Sequence, residues 1–203
     1  AGPAIPVFSI RTEHDFGVGD FLDLMPMVDG CALSGQKVLQ LLPVNDTTMT
    51  GTWTDSYPYN ANSTFALHPL YLNLADVGRL RKPARQKHYE ALGRELNALK
   101  EVDYERVSKG KMDFIREIYP TVFRSKAYKD FIDRNIEWLR PYAAFCCLRD
   151  QFGTPDMSKW GEMAVYDRDR VNRYCAQHDD DISFVYFVQY YLDRQLRRAR
   201  DYA

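Results

Sequence analysis

Apolar residues along the chain change their spacing once, near residue 75. Before that point they fall in short unbroken runs. Ile5 to Ile10 (Ile-Pro-Val-Phe-Ser-Ile) has the branched and aromatic character of a buried strand, with Pro6 tolerable near its start. Lys37 to Val44 predicts a second strand. Between them residues 13–20 turn the chain, and Asp20 or Asp23 is placed to cap a helix whose apolar face is Leu24, Met25, Val28 and Ala32. Pro26 suits its first turn and Gly35 closes it. Strand, helix, strand is the βαβ unit of a parallel sheet, so the start of the chain reads as α/β, either doubly wound or a barrel. Leu70 to Leu74 predicts a further short strand or extended segment.

From Ala84 onward the period becomes helical, punctuated by Gly110, Pro120, Pro141, Gly153, Pro155 and Gly161. Helices are predicted over 84–100, 103–118, 125–133, 135–152, 167–177 and 181–202. In the last, Asp179 to Asp181 favour the start against the helix dipole, Phe184, Val185, Val188, Tyr191, Leu192, Gln195 and Leu196 form the inner face, and Arg194, Arg197, Arg198 and Arg200 end it. The expected organisation is a first βαβ part over 1–75 with a binding loop at 45–60, then a helical insertion over 76–203, mostly helical by residue count.

Composition narrows the partners. The 203 residues carry 45% apolar and 27% charged side chains, which excludes general disorder, and 27 basic against 28 acidic residues give no pull toward nucleic acid or an anionic membrane. The basic end of the last helix reads as a solvated terminus. The longest apolar stretch, Tyr142 to Leu148, is too short to span a bilayer. Cys31, Cys146, Cys147 and Cys175 have no C-x-x-C spacing and read as reduced thiols in a cytoplasmic protein. The absence of an initiating Met and a helix still under way at Tyr202-Ala203 lead to the expectation of a piece of a longer protein. A two-stranded sheet with an open edge is then expected to self-associate unless helices cover it, and a monodisperse monomer in light scattering at high concentration would count against this.

The candidate chemistry sits in one loop, residues 45–59. Trp53, Tyr57 and Tyr59 each join a flat apolar face to a polar tip, the combination that suits a sugar ring, and Asp55 and Ser56 are placed to meet hydroxyls. Asp55 has a second reading, bonding turn amides, and the aromatics a second reading as packing. In parallel α/β folds such a loop lies at the carboxyl ends of the strands, where ligands bind. Gly17-Val18-Gly19 fails as a dinucleotide fingerprint because residue 22 is Leu. His14, His68, His88 and His178 have no i, i+4 pairing for a metal, no G-x-S-x-G or Walker loop is present, and neither a cofactor nor a catalytic constellation is predicted.

Five segments carry a resemblance. Residues 5–10, 16–21 (Phe-Gly-Val-Gly-Asp-Phe), 35–43 (Gly-Gln-Lys-Val-Leu-Gln-Leu-Leu-Pro), 55–59 (Asp-Ser-Tyr-Pro-Tyr) and 66–72 (Ala-Leu-His-Pro-Leu-Tyr-Leu) come in the order and spacing of the amylomaltase, or 4-α-glucanotransferase, family. The loop wording is closer to the long disproportionating type; the short bacterial type has Asn where this chain has His68. The resemblance implies the N-terminal part of a TIM (β/α)8 barrel. It also implies an enzyme that breaks an α-1,4-glucan bond, holds the glycosyl unit on an aspartate and passes it to a sugar hydroxyl of a maltooligosaccharide. It places the catalytic carboxylates on later strands, so none is assigned here. Tyr59 matches the tyrosine that stacks on the sugar beside the cleaved bond, with Ser56, Asp55, Tyr57 and Trp53 as its neighbourhood. Two rivals are a non-catalytic helical interaction module and a glycoside hydrolase on a related barrel.

Overall fold

The computed structural model describes residues 1–203. Two parallel strands, β1 (Ala4–Ile5) and β2 (Gln40–Leu41), pair with Ala4 opposite Gln40 and Ile5 opposite Leu41. The helix α1 (Leu24–Leu33) makes the crossover between them. Asp20 begins that crossover: its carboxylate accepts from Leu22 N at 2.9 Å while Asp23 accepts from Asp20 N at 2.8 Å, a reciprocal cap. Gly35 ends it with φ of 70°, its amide bonding Ala32 O and the next amide, of Gln36, bonding Cys31 O.

Both strands are much shorter than predicted. Of the expected 5–10 run only Ile5 pairs, and Val7–Ser9 is a 3-10 turn, closed by Ser9 N and Ser9 Oγ on Pro6 O at 3.1 and 2.8 Å. The expected 37–44 strand reduces to Gln40–Leu41, and Pro43 cannot donate to a ladder. Nor is 70–74 a strand. Pro69–Tyr71 is a 3-10 turn, and Asn73 then caps the short helix α2 (Leu74–Val77).

The helical part contains α3 (Pro83–Asn97), α4 (Tyr104–Ile118), α5 (Lys126–Phe152), α6 (Arg168–Gln177) and α7 (Asp179–Tyr202). The two helices predicted at 125–133 and 135–152 are one, running through Pro141. An internal proline costs about 3 kcal/mol, but Phe131, Leu139, Tyr142, Ala143 and Leu148 keep one buried face on both sides of it. Ser125 caps its start and Gly153, left-handed at φ 63°, ends it. Asp179, Asp180 and Asp181 fill the first turn of α7 instead of preceding it. One apolar core joins Val7, Val18 and Leu72 to Ile115, Leu139, Phe187 and Ala199, so the βαβ start and the helices bury their faces against each other. All four cysteines are free, and no helix is long and apolar enough to cross a membrane.

Under the exit of β1 lies a buried charge cluster. Lys111 of α4 donates to Leu70 O and Leu72 O at 2.7 and 2.9 Å, near the carboxylates of Asp20, Asp23 and Asp15. Burial raises Asp20 to about 6 despite the opposing ammonium of Lys111. A carboxyl whose pKa is higher folded than unfolded gives stability that is present below its unfolded value and lost as pH rises toward the folded one. The destabilisation caused by Asp20→Asn is therefore expected to be largest near pH 4 and to shrink by about 3 kcal/mol by pH 7. Urea midpoints of the two proteins across that range check it, and a difference independent of pH would refute it.

Candidate functional site

The loop that follows β2 is built around two buried aspartates. Asp55 accepts at one oxygen from the amides of Met49, Thr50 and Gly51 at 3.0, 2.9 and 2.7 Å, and at the other from Thr50 Oγ1 at 3.1 Å. Gly51 turns the chain round that carboxylate with φ of 72°. The Asp55 carbonyl in turn accepts from Thr47 Oγ1. A carboxylate so engaged is not free for a sugar hydroxyl: Asp55 shapes the loop, the second of the two readings of it. The hydroxyls of Thr50, Thr52 and Thr54 bond one another along the outside.

The base of the loop is closed at Asp46. Its oxygens accept from Thr48 N, Thr48 Oγ1, Asn62 Nδ2 and Tyr142 OH at 3.0, 2.6, 3.0 and 2.8 Å. Asn45 pairs with Leu67 in an antiparallel bridge just below. Helices hold the loop from the other side, with Arg149 Nη1 on Thr48 O at 2.7 Å and Trp53 N on Glu105 Oε1 at 2.8 Å.

Trp53, Tyr57 and Tyr59 project from this frame and are 68%, 62% and 61% exposed, which leaves their faces open to a ligand. The Tyr57 and Tyr59 rings lie 5.5 Å apart, tilted by 49°, as one double-ringed shelf. Ser56 is exposed, and with Trp53 it faces a cavity of about 210 Å³ walled by Phe8, Thr47, His68, Tyr71 and Tyr104. The two tyrosines lie outside that cavity. The sequence candidates thus divide into a surface shelf (Tyr57, Tyr59), a cavity mouth (Trp53, Ser56) and a buried organiser (Asp55).

His68 closes the cavity from below. Its Nδ1 accepts from Leu70 N at 3.1 Å, which puts the proton on Nε2, 3.2 Å from Tyr104 OH. Burial holds the imidazole pKa below its ordinary value. His68 is therefore a neutral, fixed wall. It also borders a larger cleft of about 970 Å³ between the loop, α4, α5 and α7. No group of three or more His, Cys, Asp or Glu side chains is arranged to hold a metal ion.

Sequence reading missed Asp46, Tyr104, Tyr142 and Arg149. Asp46 stood in a turn-forming run, where Asp is common for several reasons. The other three are single positions on helices, and nothing local marks a helical Tyr as the partner of a loop 96 residues away.

A family model described as 4-alpha-glucanotransferase matches residues 5–203. The whole chain aligns at 42% identity with the 4-alpha-glucanotransferase DPE2 of Oryza sativa subsp. japonica, covering 22% of that protein. It aligns over its full length at 33% identity with the 4-alpha-glucanotransferase of Chlamydia muridarum, covering 38%. Among solved structures, the amylomaltase from Streptococcus agalactiae in complex with acarbose superposes with a TM-score of 0.79 at 18% identity, over 99% of this chain and 40% of that one. The amylomaltase from Corynebacterium glutamicum gives 0.75 at 22%, over 100% and 28%. The chain thus spans well under half the length of each of these proteins.

Proposed function

The chain belongs to the 4-alpha-glucanotransferase family, and from that premise we propose that it supplies one wall of the glucan site of an enzyme transferring α-1,4-glucan segments between maltooligosaccharides. The observation that carries this reading is the exposed aromatic shelf of Tyr57 and Tyr59 beside the Trp53 and Ser56 cavity, on the loop leaving the carboxyl end of a parallel strand. β1, α1 and β2 are then the first βαβ unit of a (β/α)8 barrel, and the helices from α3 to α7 an insertion carried on the loop after its second strand.

Transfer with retention needs a nucleophilic carboxylate and a second carboxyl as acid and base, facing each other across the scissile bond. Asp46 and Asp55, the acids inside the loop, are both buried and engaged by the loop's own donors. Neither suits that work, and the reacting pair belongs to the remaining length that the relatives possess. This chain's part is binding. A phenol lying flat on a glucose ring covers its C–H face, and the electron-rich ring also favours the positive charge that develops at the anomeric carbon. The acarbose held by the Streptococcus agalactiae amylomaltase, a protein of the same fold, agrees with a saccharide ligand.

In the full-length protein containing this chain, Tyr59→Ala is expected to lower kcat/KM for maltotriose disproportionation by about 10- to 100-fold. Turnover unchanged by Tyr59→Ala would remove the shelf from the site. Hydrolysis products in place of transfer products would move the protein to the glycoside hydrolases.

A further inference from the structure

We propose that Tyr142 and Arg149 of α5 are positioning residues for the aromatic loop, acting on it through Asp46 and Thr48. The inference rests on the glucan-site reading above for its functional consequence, and on bond geometry for its structural one.

The path is continuous. Tyr142 OH donates to Asp46 Oδ2 at 2.8 Å, and Arg149 Nη1 donates to Thr48 O at 2.7 Å, a carbonyl that also accepts from Asn62 Nδ2 at 3.0 Å. Asp46 and Thr48 are further tied to each other by the Thr48 amide and hydroxyl. The next three residues, Met49, Thr50 and Gly51, supply the amides that surround Asp55, and Asp55 lies in the 3-10 turn Trp53–Ser56 that leads directly to Tyr57 and Tyr59. Two side chains seven positions apart on one continuous helix therefore grip the loop at its base, and the loop has little freedom left to pivot between them.

Packing alone does not account for these residue types. Tyr142 is buried, and phenylalanine would fill its place without a hydroxyl that needs a partner. Arg149, its side chain only 12% exposed, turns Nε and Nη2 to the neighbouring Asp150, both at 2.8 Å, and spends the remaining nitrogen, Nη1, on Thr48 O where an exposed arginine would keep its head in water. In both cases the polar end of the side chain meets the loop. α5 has a direct hold on where the shelf stands, which a helix acting only as a spacer would not need.

The test uses Tyr142→Phe, Arg149→Met and Arg149→Lys in the 203-residue chain, with amide hydrogen exchange read residue by residue by NMR. Loss of a hydrogen bond to a charged or buried group is expected to speed exchange at Met49, Thr50 and Gly51 by about tenfold in Tyr142→Phe and Arg149→Met. The core amides of Phe114 and Ile115 on α4 should be unchanged, and Arg149→Lys, which keeps a cationic donor, should recover part of the effect. Asp46→Asn combined with Tyr142→Phe should add little to the worse single change, because both break the same link. Unchanged exchange at the three loop amides, or equal acceleration at Phe114 and Ile115, would overturn the proposal. A maltotriose titration followed at the Trp53 indole N–H separates this from the functional reading. Weaker saccharide binding in Tyr142→Phe than in the wild type supports both. Binding equal in the two proteins overturns the positioning role, and no binding by the wild-type chain counts against its glucan site while the exchange comparison still decides the hold of α5.

Discussion

Lys111→Met is expected to cost about 3 to 5 kcal/mol of folding free energy, the range for removing one partner of a buried charge group. Lys111 is 1% exposed, and its ammonium holds the carbonyls of Leu70 and Leu72. Burial lowers its pKa while Asp20, then Asp23 and Asp15, hold it up. Methionine matches the stem and deletes the charge, so two carbonyls lose their donor and the buried carboxylates of Asp20, Asp23 and Asp15 lose its attraction, although Asp15 keeps Arg11 at 3.4 Å. The urea midpoint should fall accordingly at pH 7. Without the ammonium that lowers it, the Asp20 pKa should rise above its wild-type value of about 6, so part of the loss should return as pH falls toward 6 and Asp20 takes up its proton, removing one uncompensated negative charge. A deficit of the same size at pH 5 and pH 7.5 would show that the cost is one of packing and carbonyl bonds, with no charge component.

How far such features can be read from sequence depends on whether their partners are near or far along the chain. Local signals were legible: Gly35 after α1, Asp20 before it, the helical period from α3 onward and the aromatic loop after β2 each depend on a few neighbouring residues. The strands are shorter than their apolar runs because apolar, branched residues mark burial as well as pairing, and Pro6 and Pro43 interrupt the ladder where the apolar pattern continues. The helix expected in two pieces, 125–133 and 135–152, is one because a single buried face runs from Tyr128 and Phe131 through Leu139 to Leu148, a continuity that depends on tertiary packing. Lys111 resembled any lysine on a helix; what identifies it is Leu70 and Leu72, about 40 residues earlier in the chain. In the loop the aromatics were found by their chemistry, and Asp55 by its place among turn residues. The helix side chains that hold the loop carry no local mark at all.

The second large effect is expected from Gln195→Leu, at about 2 to 4 kcal/mol, the cost of leaving a buried peptide N–H and C=O unpaired. Gln195 is fully buried, and its side-chain amide bonds one residue reciprocally: Oε1 accepts from Asn73 N at 2.8 Å and Nε2 donates to Asn73 O at 2.9 Å. Gln189 does the same to Leu67, at 2.8 Å in both directions. Each pair is separated by 122 residues, so the segment from 67 to 73 runs along α7 in step with it. This is also why that segment is not a strand. Six residues of helix advance about 9 Å and six of strand about 20 Å, and the 3-10 turn at Pro69–Tyr71 takes up the difference. An exposed change such as Gln177→Leu on α6 should stay within about 0.5 kcal/mol, which separates loss of the clamp from loss of a glutamine. Lys111 holds the same segment from the opposite side, at Leu70 and Leu72. Once either grip is lost the segment is already loosened, so the double variant Lys111→Met with Gln195→Leu should lose less than the sum of the two single changes. Strict additivity in urea unfolding would mean that α4 and α7 each hold a part of the segment that moves on its own.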